Sequence, residues 1–244
     1  MTQRSLIEDR LSRVRAVLFD LDGTLIDTVP HILASFRHAT AEVLGAALPD
    51  DVLLMHVGVP LASQMRFFTE DEEVAEALLV AYRRYNHATH DEMARLYDGT
   101  AEALTALHGR GIPLGVVTSK SAYMAMRGIE LFDLGRFFSV VVTADDVTAH
   151  KPDPYPVLHA AHLLGVAPEA CLYVGDSPHD IQAGHDAGAL TAAAPWGVAR
   201  AERLLEAGPD LLLGDIRDVV SLMTGDGARF AVEGRSTSVA AEGD

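Results

Sequence analysis

Of the 19 basic residues in this chain of 244, only two are lysines, Lys120 and Lys151, and 35 acids outnumber the basic residues as a class. The net charge of −16 argues against nucleic acid as a partner, because phosphate backbones are bound through a basic face. It leaves room for a small phosphorylated molecule, which needs only a local cluster of positive charge. A single cysteine, Cys171, excludes an internal disulfide framework and fits a reducing cytoplasm. It lies in an apolar run and reads as a buried, inert thiol. No window approaches the roughly 20 apolar residues of a membrane span. The first fifteen residues mix acids and arginines without the apolar segment of a signal peptide, so none is expected. What the chain does have is apolar content, 49% of its residues, enough to bury a sizeable core.

The apolar run Ala16-Val17-Leu18-Phe19 reads as a fully buried strand. From 28 to 95 the pattern is helical throughout. Apolar residues recur at helical spacing over 29–44, shorter helices are expected at 50–56 and 61–68, and a long one follows the acidic capping cluster at 69–72 and runs to about 93. Asp27 or Thr28 is placed to cap the first of these. From 97 the rhythm changes to alternating helix and strand, with buried strands expected at 112–117, 140–143, 171–174, 190–194 and 210–213. This alternation predicts an α/β fold with a doubly wound parallel sheet covered on both faces, interrupted by a helical insertion. The expected division is a discontinuous core, 1–27 and 96–224, a helical cap, 28–95, and a disordered tail, 225–244, rich in Gly, Ser, Ala and acid.

Four polar clusters fall at or just beyond the ends of predicted strands. They are Asp20 with Asp22, Thr118 with Ser119, Lys151, and Asp176 with Asp180. In a parallel sheet the carboxyl ends of the strands line one edge, where open α/β folds bind ligands, so residues far apart in sequence converge there. Asp20 and Asp22 stand two apart after a strand, and extended residues i and i+2 share a face. Two like charges that close are costly unless a cation lies between them or one is protonated, so the pair reads as a metal site or as a nucleophile beside an acid/base. Each cluster alone has a plainer reading, as a helix cap, a turn or a solvated helix face. Their conjunction in this order is what carries weight.

With those residues in view, the chain resembles the haloacid dehalogenase-like phosphohydrolases over about 15–222. The motifs that carry the resemblance are Asp20-Leu21-Asp22-Gly23-Thr24, Thr118, Lys151 and Gly175-Asp176-Ser177-Pro178-His179-Asp180. The resemblance implies a Rossmann-like core with an inserted helical cap, and a mechanism. Asp20 would be the nucleophile that forms an aspartyl-phosphate, and Asp22 the general acid/base. Mg²⁺ would be held by Asp20, Asp176 and the backbone carbonyl of Asp22. Thr118, the Ser119 amide and Lys151 would bind the phosphoryl oxygens, and Asp180 would orient Lys151 or a metal-bound water. Asp27, Thr28 and Gly58 are the candidate cap and hinge positions. The expected partner is a small phosphorylated molecule, with no nucleic acid or membrane, met by a monomer or homodimer.

Departures from sister branches narrow this further. Asp22 is similar to the phosphatases and unlike the dehalogenases, which lack an acid/base there. The cap contains no lysine for the Schiff base of the phosphonate-cleaving branch, and Gly58-Val59-Pro60-Leu61 replaces the Gly-x-Ser-Arg of the hexose-phosphate mutases. That stretch is similar instead to the phosphoglycolate phosphatases. Val117-Thr118-Ser119-Lys120, residues 127–132 and 142–147, and the run from Lys151 to Leu158 resemble the PpaX-type pyrophosphatases. The expected activity is Mg²⁺-dependent hydrolysis of phosphoglycolate, pyrophosphate or a sugar phosphate. A phosphomutase and a catalytically silent phosphate-binding module are the alternatives.

Overall fold

A helix without an obvious apolar stripe, α1 (Gln3–Ser12), precedes the first strand. It is started by Thr2, whose hydroxyl accepts from Ser5 N at 3.3 Å, and Ile7 anchors it to the core while Leu6 stays exposed. The computed structural model describes residues 2–225, so the tail expected from 225 onward lies, apart from Gly225, outside the described residues. In chain order the elements after α1 are β1 (Ala16–Phe19), β2 (Ile26–Asp27), α2 (Val29–Leu44), α3 (Asp50–Leu54), α4 (Leu61–Met65), α5 (Glu72–Met93) and β3 (Arg95–Leu96). There follow α6 (Thr100–His108), β4 (Leu114–Val117), α7 (Ala122–Leu131), β5 (Val140–Val142), α8 (Tyr155–Leu164) and β6 (Cys171–Gly175). The last are α9 (Pro178–Asp186), β7 (Leu190–Ala193), α10 (Ala201–Glu206), β8 (Leu211–Leu212) and α11 (Asp218–Thr224).

Six strands form one sheet in the order β5-β4-β1-β6-β7-β8, with every pair parallel. All four residues of β1 are buried because the strand is central and both sheet faces are covered. One face packs Phe19 and Val174 under α6 and α11, and the other packs Leu18 and Tyr173 under α8 and α9. Removing Leu18 or Phe19 from water contributes about 1.5–3 kcal/mol each. Strand β4 begins at Leu114, later than the apolar run, because Pro113 offers no N–H to the ladder. The sheet order reverses at β1, with β4 on one side and β6 on the other. The crevice beyond their carboxyl ends is the switch point where such folds take ligands.

Helices α2 to α5 pack around an apolar cluster of their own, in which Phe36 meets Tyr82 with ring centroids 4.7 Å apart. The cap of α5 is the expected acidic one: Asp71 accepts from Glu73 N at 2.9 Å and Val74 N at 3.2 Å, and Glu72 and Glu73 occupy its first turn. Gly45, at φ +82°, ends α2 where a side chain would be strained. Thr28 occupies the N-cap position of α2, but its side chain makes no capping bond and is engaged elsewhere. Helices α3 and α4 end earlier than the apolar pattern suggests, since that pattern continues into turn residues. The two chain segments that join this helical block to the sheet pair as a short antiparallel ribbon, Ile26 with Leu96 and Asp27 with Arg95. No helix among the described residues is long and apolar enough to cross a membrane.

A polar cluster is sealed between α2 and α5. His31 is 1% exposed, with Nε2 3.1 Å from Thr89 Oγ1, and its ring meets that of His90 edge to face at 5.6 Å. Asn86 Nδ2 donates to Ser35 Oγ at 3.1 Å. Burial above all, then the nearby His90 and Lys120, presses the His31 imidazole down to about 4. An unfolded chain binds that proton near pH 6.5, so between 6.5 and 4 the unfolded state carries more protons than the native one. Stability from this site is therefore complete above about pH 6.5 and is lost as the pH falls toward 4. Denaturant titrations at pH 7 and pH 5 should show the wild type losing on the order of 1–3 kcal/mol more than His31→Asn over that interval. Equal losses in both proteins would contradict the assignment.

Candidate active site

Strand β1 delivers Asp20 to the crevice, and the Asp20 backbone N–H donates to Val174 O at 2.9 Å, fixing it between β1 and β6. The chain then turns sharply, with Gly23 N donating to Ile26 O at 2.9 Å. Gly23 has φ +82°, and a Cβ there would overlap the Asp176 carboxylate; a Cβ at Gly197 would do the same. The two glycines thus form a cradle that lets Asp176, at the end of β6, approach the turn. Its Oδ2 accepts from Val198 N at 2.6 Å. Thr118 follows β4, and Lys151 comes from the loop after β5. Asp180 lies in the first turn of α9, where a reciprocal capping box with Ser177 holds it.

Lys151 and Asp180 form the buried base of the site. Lys151 Nζ stands 2.6 Å from Asp180 Oδ1 and 3.0 Å from Asp20 Oδ1, and it donates to Tyr173 OH at 3.2 Å. Asp180 is saturated. Its Oδ1 also meets the Tyr173 hydroxyl at 2.8 Å, and its Oδ2 accepts from Ser177 N at 3.0 Å and Ser177 Oγ at 2.5 Å. Asp20 is not. Its Oδ1 pairs with Lys151 as an ion but off the direction of a hydrogen bond, and it has no hydrogen-bond partner.

Charge is crowded here. Oxygens of Asp20, Asp176 and Asp180 lie within 4.8 Å of one another, all three residues are buried, and one ammonium stands among them. Burial raises Asp20 to about 7, against the opposing pull of Lys151 and with the push of Asp180. Burial, then Asp20 and Asp180, raise Asp176 well above the carboxylate range. For Asp180, burial is outweighed by Lys151 and the hydrogen bonds around it, and its carboxyl is held below the usual range. Burial would depress Lys151, but Asp180 and Asp20 outweigh it and keep the ammonium charged. An unmatched buried carboxylate oxygen, a second carboxylate beside it and a glycine cradle are the donor set that suits a hard divalent cation. Asp20 and Asp176 fit that role; Asp180, with no free lone pair, does not.

Asp22 turns the other way. Its Oδ1 accepts from Lys120 Nζ at 2.7 Å and from Thr28 Oγ1 at 2.6 Å. Burial pushes the carboxyl up, but Lys120 and then Thr28 outweigh it and hold it below the usual range. Both lysines of the chain thus stand against the two aspartates of one motif. Ser119 Oγ donates to Gly58 O at 2.7 Å, tying the 56–60 loop of the helical block to the sheet edge. Gly58 has φ +113°, and a Cβ there would come within 2.9 Å of Ser177 Oγ.

A cavity of about 300 Å³ opens between the helical block and the sheet edge, with Asp20, Asp22, Thr118, Ser119, Asp176 and Gly58 on its walls. Of the sequence candidates, Lys151 and Asp180 lie directly behind that wall. Thr28 touches it only through Asp22. Asp27, near Tyr97 OH at 3.4 Å, stands outside it in the ribbon. Three participants escaped the sequence reading. Tyr173 is the polar residue in an apolar strand, Lys120 is marked only by its scarcity and its place after Thr118 and Ser119, and the Val198 amide carries no side-chain signal.

A family described as haloacid dehalogenase-like hydrolase matches residues 17–194. The pyrophosphatase PpaX of Bacillus velezensis is 38% identical over 210 residues, 86% of this chain and 96% of its own. That of Bacillus cereus is 37% identical over 212 residues, 87% and 97% of the two chains. Among solved structures, a Haemophilus somnus protein described as a predicted phosphoglycolate phosphatase has a TM-score of 0.80 over 86% of this chain and 98% of that one. At 24% identity this likeness shows a shared fold. With the matched segment spanning the four motifs and most of the sheet, the chain belongs to the haloacid dehalogenase-like hydrolases.

Proposed function

We propose that this protein is a Mg²⁺-dependent phosphohydrolase of small phosphorylated molecules, pyrophosphate or a phosphoglycolate-like ester, working through a phosphorylated Asp20. The observation that carries this reading is the Asp20 carboxylate, buried at the cavity floor with Oδ1 lacking a hydrogen bond, 3.0 Å from an ammonium locked in place by Asp180. A carboxylate attacking a phosphoryl group meets like charge, so positive charge must already be present. Lys151 supplies it as a fixed point charge, and because Asp180 and Tyr173 hold Lys151, little reorganisation is needed on substrate arrival. Mg²⁺ bound by Asp20, Asp176 and the Asp22 carbonyl would screen the remaining repulsion.

The other roles follow from position. Thr118 and the Ser119 amide hold nonbridging phosphoryl oxygens. Asp22 takes a proton, in the second step, from the water that hydrolyses phospho-Asp20, and the proton so gained is the one it can give to the leaving oxygen of the next substrate. At rest, with Lys120 and Thr28 on its Oδ1, it stands in the ionised form that the second step needs. Asp180 acts through Lys151 and is a positioning residue. Residues 28–95 serve as a cap over a core formed by 1–27 and 96–224. The β2–β3 ribbon, with Asp27 and Thr28, is its hinge, and the Ser119–Gly58 bond its latch. The name of the pyrophosphatase relatives supports pyrophosphate as a substrate, and the reducing cytoplasm is the compartment that one cysteine suits.

Asp20→Asn should lower kcat/KM for any accepted phosphate by at least about a thousandfold while the circular dichroism spectrum stays native. The same variant should lose the rise in Tm that Mg²⁺ gives the wild type, since ligand binding to the native state is what raises it. Retained turnover, or an unchanged Mg²⁺ response, would sink the assignment. Gly58→Ala tests the latch. At φ +113° and against Ser177, the new methyl should cost about 1–2 kcal/mol of stability and lower kcat/KM roughly tenfold. Steady-state kinetics at wild-type levels would show that this loop does not close the site.

A further inference from the structure

The cap side of the cavity is selective in its charge. In a chain with 35 acids, none of the cavity-lining residues contributed by the helical block is Asp or Glu. What α5 offers instead are Arg83 and His87, four residues apart on one helix face, while the Asn86 amide between them has its Nδ2 directed at Ser35 and His31. Arg83 is distinctive among the arginines of α2–α5. Arg37, Arg66 and Arg84 are paired to Asp50, Glu72 and Glu42, whereas Arg83 has no ion-pair partner among the described residues. On the core wall stands Lys120, whose ammonium gives one donor to Asp22 and keeps others for the cavity. On the side of the helical block, Val57, Pro60 and Leu61 add an apolar stretch to the lining.

Position distinguishes the two lysines. Lys151 stands against Asp20, on the side of the transferring phosphoryl group. Lys120 stands against Asp22, on the side from which the leaving group departs. Resting on the phosphohydrolase reading above, we propose that Arg83 and Lys120 bind a second anionic group of the substrate on the leaving side of the scissile bond. The favoured substrates are then small phosphates that carry a second phosphate or a carboxylate, and a phosphate ester without a second anionic group leaves this receptor empty. The planar guanidinium fork suits either anion through paired hydrogen bonds, and the compact Lys120 ammonium fits beside Asp22 in a cavity of about 300 Å³.

The test compares kcat/KM in Mg²⁺ for pyrophosphate, phosphoglycolate and phenyl phosphate, using the full chain and its Arg83→Gln, Arg83→Lys and Lys120→Met variants. Wild type should prefer the two substrates with a second anion, and the preference between them identifies phosphate or carboxylate as the group received. Arg83→Gln should lower the ratio of their kcat/KM to that of phenyl phosphate by about 10- to 100-fold, chiefly through KM. Arg83→Lys should recover part of the loss. Lys120→Met should lower the same ratio and also kcat, because Asp22 loses its partner. Arg83 is exposed and makes no ion pair among the described residues, so its variants should fold. A ratio within about threefold of wild type in both Arg83→Gln and Lys120→Met would overturn the inference and leave the phosphohydrolase reading standing. A wild type that hydrolyses none of the three would overturn that reading, and the inference with it.

Discussion

Three buried carboxylates share one ammonium at the end of the central strand, and the site is built to tolerate that imbalance. Asp180 is neutralised by Lys151 and saturated by Tyr173 and Ser177, so it stays charged at little cost. Asp20 has only a second claim on Lys151 and Asp176 one backbone N–H, and burial drives both toward protonation. A structural ion-pair network would match every charge. This one matches the inner acid and leaves the two outer acids facing the cavity, where a divalent cation and a phosphoryl group would find them.

The same constraint explains the arrangement of the surrounding elements. A parallel sheet is needed because only there do the ends of β1, β4 and β6 bring Asp20, Thr118 and Asp176 to one edge. Glycine is required at 23 and 197 because any side chain would displace the Asp176 carboxylate. Thr28 opens α2 yet hydrogen-bonds to Asp22, and Ser119 closes on Gly58. The helical block is therefore tied to the catalytic edge at both its entrance and its loop. Through Thr28 it touches Asp22 directly.

Much of this was legible in the chain because the signals are local. The run Ala16-Val17-Leu18-Phe19 is a strand with the bounds its apolar residues suggest, and Val29–Leu44 is a helix bounded by Gly45. The acidic cluster at 69–72 announced the start of α5 through capping chemistry alone. What was illegible depends on partners distant in sequence or on weak local pattern. α1 buries too little on one face to show a stripe. The β2–β3 ribbon joins two-residue segments that lie on opposite sides of the whole helical block. Lys120 is the sharper case. Its scarcity made it conspicuous, but its pairing with Asp22, 98 positions away, required the fold.

The central claim is that the Asp20 carboxylate is the nucleophile. The most direct measurement is to quench the enzyme with acid during turnover of pyrophosphate in Mg²⁺ and to map phosphorylation by mass spectrometry of the peptide containing Phe19-Asp20-Leu21. One phosphoryl group on Asp20, removed by hydroxylamine as an acyl phosphate should be, is the predicted result. An enzyme that turns over rapidly while phosphate is found on another side chain would contradict the account.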